Sequence, residues 1–172
     1  MRGTTRNEWL AVLVLLVVAL PCRWLDAQET IKSEAAFRQL RSLVGDWQGV
    51  YEGTPIKVRY SVTADGSAIM LAEQPGDSAA MVTMFTIDGD HLIATHYCSA
   101  RNQPQMVTGT PGDIERGITF SLLRVTGLKT PGDWHNTGLT VRQEDPNHLT
   151  HQWTYAYKGS SGTRVFRFAR VK

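Results

Sequence analysis

Thr95-His96-Tyr97-Cys98 is the densest group of reactive side chains in the sequence, and the polar run Asn102-Gln103-Pro104 follows it closely. In an extended chain successive side chains point to opposite faces, so His96 and Cys98 share one face and Thr95 and Tyr97 the other. A thiol and an imidazole about 7 Å apart at their Cα atoms suit a shared metal ion or a thiolate–imidazole pair. They equally suit a small buried thiol beside a hydrogen-bonded imidazole, since unpaired cysteine is among the most buried residue types. A catalytic zinc site needs three protein ligands and an open position, for which His96, Cys98 and His135 are the candidates, with His151 as a further donor. The spacings His-x-His and His-x-x-x-His are both absent, so any such ligands would have to converge from separate strands. There is no Gly-x-Ser-x-Gly elbow, and Cys98 lies in no recognisable nucleophile motif, so the residues lean away from an enzyme.

Asn102 and Gln103 each offer a donor and an acceptor to the polar head of a ligand, although Asn near a proline is also ordinary turn chemistry. His91 after Asp90, and His148 after Asp145-Pro146-Asn147, read as solvated loop residues, and Glu73 and Arg59 as rim or exterior charges.

These side chains must be positioned by strands. Phe37, Leu40 and Val44 recur at helical spacing, with Ser33 as an N-cap and Gly45 as a stop, which predicts one short amphipathic helix. Beyond Gly45 the period becomes two. About ten strands are predicted, over 46–52, 56–63, 67–74, 80–87, 91–98, 105–110, 118–125, 134–144, 148–157 and 164–171. Asp65-Gly66 and Asp88-Gly89 suit tight hairpins, while Pro111-Gly112, Pro131-Gly132, Asp145-Pro146-Asn147 and residues 159–162 suit longer loops. Connections this short join only antiparallel neighbours. A flat meander would leave two open edges and a bare apolar face, so closure into an all-β, up-and-down antiparallel barrel is expected.

The same alternation predicts the interior: Ile56, Val58, Tyr60 and Val62 on one strand, Leu149, His151, Trp153, Tyr155 and Tyr157 on another, Phe166 and Phe168 on the last. Aromatic faces with polar tips describe a ligand pocket and a filled core equally well.

The first 27 residues differ in kind. Arg2 and Arg6 precede an apolar run over residues 10–20, then Pro21 and a polar stretch ending at Ala27, the pattern of a secretory signal peptide. A span needs about 20 apolar residues, roughly twice this run, so no transmembrane segment is expected once the leader is removed. The domain is then 28–172, and the destination periplasmic or extracellular. Lipid anchoring through Cys22 is the lesser alternative, because Pro21 stands where a small residue is expected. Removing Arg2, Arg6, Arg23, Glu8 and Asp26 takes the net charge from +2 to +1, with no basic cluster, which sets nucleic acid aside as a partner. Cys98 is then alone, so no internal disulfide forms and stability must come from the core.

Gly45-Asp46-Trp47 follows the helix directly, and the last strand reads Phe166-Arg167-Phe168-Ala169-Arg170. This pattern resembles the calycin superfamily, the lipocalins and their relatives. The resemblance implies that Trp47 closes the barrel floor and that Arg170 lies over the indole, a cation–π contact of about 0.5–2 kcal/mol. Both would then be structural. The strand count, the segment from Phe37 to Trp47, Asp88-Gly89-Asp90-His91-Leu92 and the polar run from Thr95 to Pro104 look more like bacterial lipocalin-like domains of unknown function and the ten-stranded nitrobindins. Nitrobindins hold haem through a histidine near the C-terminal end, and no histidine follows His151 here.

The expected function is therefore non-enzymatic binding of a small hydrophobic or amphipathic molecule, with His96, His135, Trp153, Tyr155, Tyr60, Asn102 and Gln103 as candidate contacts. The alternatives are a metal- or haem-dependent activity centred on His96 with Cys98 or His135, and a structural envelope module whose barrel is filled.

Overall fold

Alternation becomes a wall once each strand finds neighbours on both sides. A computed structural model describes residues 23–78, 80–109 and 117–172, with the side chains of 23–31 left aside. Helix α1 (Arg23–Ser42) leads into ten strands: β1 (Gly45–Tyr51), β2 (Thr54–Thr63), β3 (Ala68–Pro75), β4 (Met81–Asp88), β5 (His91–Tyr97), β6 (Gln103–Thr108), β7 (Ile118–Thr126), β8 (His135–Asp145), β9 (His148–Tyr157) and β10 (Ser160–Arg170). Each strand pairs antiparallel with its successor, and β10 returns to β1, closing the barrel. The apolar run 10–20, Cys22 and Pro111-Gly112 lie outside the described residues. Among the described residues no helix is long and apolar enough to cross a membrane.

The seam between β1 and β10 is held by the pair anticipated at the floor. Trp47 is opposite Arg170 in register, and the guanidinium carbon lies 4.1 Å from the indole centroid. Trp47 donates its indole N–H to the Leu43 carbonyl at 2.8 Å. Arg170 donates to the carbonyls of Pro146, Val44 and Ser42, tying β10 to the helix exit. A Cβ on Gly49 would collide with the Arg167 carbonyl, so only glycine allows this approach.

Helix α1 packs on β5, β4 and β2 at the end of the barrel where β1 begins. Two expectations need correction there. The helix starts well before Ser33, which is therefore no N-cap; buried inside the helix, its Oγ donates to the Gly89 carbonyl at the β4–β5 turn, 2.9 Å away. Val44 is exposed because the helix has ended by Ser42, and Leu43 takes the buried position beside Phe37 and Leu40.

The turns differ from expectation in two places. Asp145 pairs with His148, so only Pro146 and Asn147 make the β8–β9 turn, where a longer loop was expected. Residues 159–162 form no long loop: Lys158 and Gly159 make a two-residue turn with φ of 48° and 79°, the positive values that match the twist of a tight hairpin.

The lower barrel is solid. Tyr60, Phe85 and Phe120 meet in its centre, with ring centroids 6.4 and 5.4 Å apart, and all three are buried. Because the chain alternates ends, the β1–β2, β3–β4, β5–β6, β7–β8 and β9–β10 turns gather opposite the helix and form the open mouth.

Candidate functional site

Three polar side chains stand in the apolar interior as a connected chain. Tyr60 on β2 and His151 on β9 meet with the hydroxyl 2.7 Å from Nε2. The other ring nitrogen of His151, Nδ1, stands 3.4 Å from Oε1 of Glu73 on β3, a long contact. A nitrogen facing a carboxylate carries hydrogen, so the Tyr60 O–H donates to Nε2 and each group has a consistent role. Tyr60, His151 and Glu73 are 1%, 0% and 6% exposed.

Glu73 is the correction of greatest weight. At the end of its strand it reads as a rim charge, yet it shares the two-residue phase of Ile69 and Leu71 and so faces inward with them. Burial by itself would raise its pKa, but the electrostatic attraction of His151, with smaller help from His96 and Trp153, outweighs it and holds the carboxyl below its ordinary range. Its second oxygen, Oε2, is buried without a hydrogen-bond partner. Burial and then the Glu73 charge push the Tyr60 phenol well above its ordinary value, so it remains a donor.

His96 on β5 and Cys98, just past its end, are both buried. Nδ1 of His96 pairs with the Thr83 hydroxyl at 2.8 Å, and its ring lies 4.8 Å from that of Trp153. Burial pulls the His96 pKa down, with Glu73 opposing. Burial pushes the Cys98 thiol up, the opposite of what an activated thiolate requires.

Toward the mouth a cavity of about 80 Å³ opens above this cluster. Glu73 and His96 lie at its polar side, with Asn136 beside them; Trp134, Trp153, Tyr155, Phe166 and Phe168 supply aromatic walls. Arg164 lies at the rim with its guanidinium carbon 5.2 Å from the Tyr155 ring and 5.9 Å from that of Trp134. Gly162, opposite Tyr155 on β10, is what lets this ring lean inward: a Cβ there would come within 2.5 Å of the phenolic oxygen.

The sequence candidates thus separate. His96, Trp153 and Tyr155 line the cavity; Tyr60 lies beneath it, bonded to His151. His135 is not in the lining. A register shift between Asn136 and Gly138 brings Asn136 inward and leaves His135 bonded through Nδ1 to the Asp133 carbonyl. The isolated Gly138 was the available signal, since glycine inside a strand often marks a bulge. Gln103 and Pro104 are not loop residues but open β6, where Gln103 accepts from Thr126. Asn102 is buried and donates to the Trp134 carbonyl at 2.7 Å, so its carboxamide positions the wall. Arg59 is exterior as expected, paired with Asp46.

Among the described residues no three His, Cys, Asp or Glu side chains gather in a way that would hold a metal ion. Haem does not fit either, because the cavity is well below the roughly 300–1,000 Å³ of small-molecule and cofactor pockets. A larger groove of about 540 Å³ crosses the wall at β1–β3 between Gln48, Lys57, Arg59 and Gln74, away from the buried cluster.

Fold and site together define a ten-stranded antiparallel barrel, closed by a helix at one end and carrying a small aromatic cavity at the other. The sequence matches no family model and no curated protein. Among solved structures, it is similar in fold to a protein of unknown function from the DUF3598 family of Nostoc punctiforme, with a TM-score of 0.52 at 16% identity. The match covers 77% of this chain and 49% of that one, so this chain spans about half the length of its structural neighbour.

Proposed function

We propose that this protein is an exported, calycin-like barrel that binds a small hydrophobic or amphipathic molecule at its mouth without transforming it. The observation that carries the reading is the aromatic cavity above a buried carboxylate with an unpartnered oxygen, because binding sites combine apolar walls with a few convergent polar groups. The calycin-like placement rests on Trp47 and Arg170 packed at the floor, and export on the leader-like first 27 residues. A volume of about 80 Å³ holds a head group or short segment, so the rest of a longer ligand would extend out of the cavity toward the mouth.

Titration of the purified protein with short amphiphiles, followed by quenching of tryptophan fluorescence, tests this. Saturable quenching is expected, weakened when Phe166→Ala opens the wall. If no amphiphile binds, the second reading gains: a structural module, as the solid packing of Tyr60, Phe85 and Phe120 would favour.

A further inference from the structure

We infer that the mouth cavity selects an organic cation, an alkylammonium-type head whose N–H groups reach Oε2 of Glu73 while its carbon chain lies against the aromatic walls. This rests on the binding reading above and adds the ligand's charge. Two independent observations carry it.

The first is the unmet acceptor. Glu73 is 6% exposed, lines the cavity, and leaves Oε2 buried without a partner. Its other oxygen has Nδ1 of His151 at 3.4 Å. The ion pairs of Arg59 and Arg142 are made elsewhere, with Asp46 and Glu144. Leaving a buried acceptor unpaired is costly, and a carboxylate is best met by a charged donor.

The second is the wall. Aromatic faces attract cations, and an aromatic cage is a common recognition device for ammonium groups. Here the mouth already holds one cation on such faces: the guanidinium of Arg164 lies over both Tyr155 and Trp134. Deeper in, Trp153 packs its ring against His96, 4.8 Å between centroids, and lines the same cavity as the carboxylate. A neutral alcohol would bring one O–H donor to Oε2 but no charge to match the carboxylate's. An anionic ligand would bring like charge toward Glu73.

Three probes of one chain length separate the possibilities: hexylammonium, 1-hexanol and hexanoate, each titrated while following tryptophan fluorescence and the Trp153 indole N–H resonance. Hexylammonium is expected to bind most tightly and to move that resonance, since Trp153 and Glu73 line the same cavity. Glu73→Gln is expected to weaken hexylammonium by about tenfold or more, the worth of a charged hydrogen bond, and to leave hexanol within about twofold. Arg164→Gln, on the exposed rim, supplies a second variant that leaves the interior intact. It removes a competing like charge and frees two ring faces, so hexylammonium should bind severalfold tighter with hexanol unaffected. Hexanol or hexanoate binding as well as hexylammonium overturns the cation inference and leaves the binding reading standing. Failure of all three to bind overturns both. A crystal structure grown with hexylammonium that shows only ordered water at Oε2 also overturns it.

Discussion

Tyr60, His151 and Glu73 form a polar chain inside an apolar barrel, and each link sets the next. With the Tyr60 hydroxyl removed, Nε2 of His151 is left buried without its partner at 2.7 Å. An unsatisfied buried group of this kind costs about 1–3 kcal/mol, so Tyr60→Phe should lower the urea midpoint by a corresponding amount without changing the m-value. Restoration of wild-type stability in that variant would mean the link contributes nothing. Gly162 makes a separate claim at this scale. Gly162→Ala places a methyl where the Tyr155 phenol lies, so the ring should swing away, and amphiphile affinity should fall while global stability changes little. Equilibrium denaturation beside a fluorescence titration separates the two effects.

Among the elements, the β1–β10 seam closes the cylinder by bringing together strands more than a hundred residues apart in sequence. It depends on a bare backbone at Gly49 and on the Trp47–Arg170 contact one turn of the pleat away. Gly49→Ala forces the strands apart at the Arg167 carbonyl, and an overpacking cost of about 1–3 kcal/mol is expected. Thermal unfolding checks the magnitude. Amide exchange should show the loss concentrated in β1 and β10, since an opened seam releases their ladder before the rest of the wall. The bulge at β8 is the second decisive local feature: by inserting one residue it exchanges His135 for Asn136 in the cavity.

For the whole molecule, the buried ionisable groups make folding acid-sensitive. His96 has its pKa lowered from 6.5, so an unfolded chain takes up a proton there more readily than the folded one. Its contribution is present above the ordinary imidazole value and is lost as the pH falls through the depressed one. Glu73 is also depressed, so its contribution is present above the ordinary carboxylate range and is lost as the pH falls through its folded value. Two acid-side losses are therefore expected, one beginning near the ordinary imidazole value and one below the carboxylate range. Denaturation midpoints measured across pH in the wild type and in Glu73→Gln check this: the variant should lose the lower step and keep the upper.

What the sequence determined alone was the architecture. Period two over ten stretches and turn residues at their ends were enough for a closed barrel, because local sterics and the hiding of one face act on neighbouring residues; Arg170 over Trp47 was implied by the calycin resemblance and not by the periodicity. Strand phase also placed Trp153 and Tyr155 inside, and set His96 on the face of Cys98 without deciding which face was inward. The tertiary structure decided the rest. Glu73 keeps phase with Ile69 and Leu71, but its charge argued for the rim, and only His151 and Trp153, from another strand more than seventy residues away, make its burial tolerable. His135 and Asn136 changed places through a bulge, and the room at the mouth follows from how side chains of β2, β3, β8, β9 and β10 fill a common interior. Register, bulges and volume are properties of many strands at once, and no single stretch of chain encodes them.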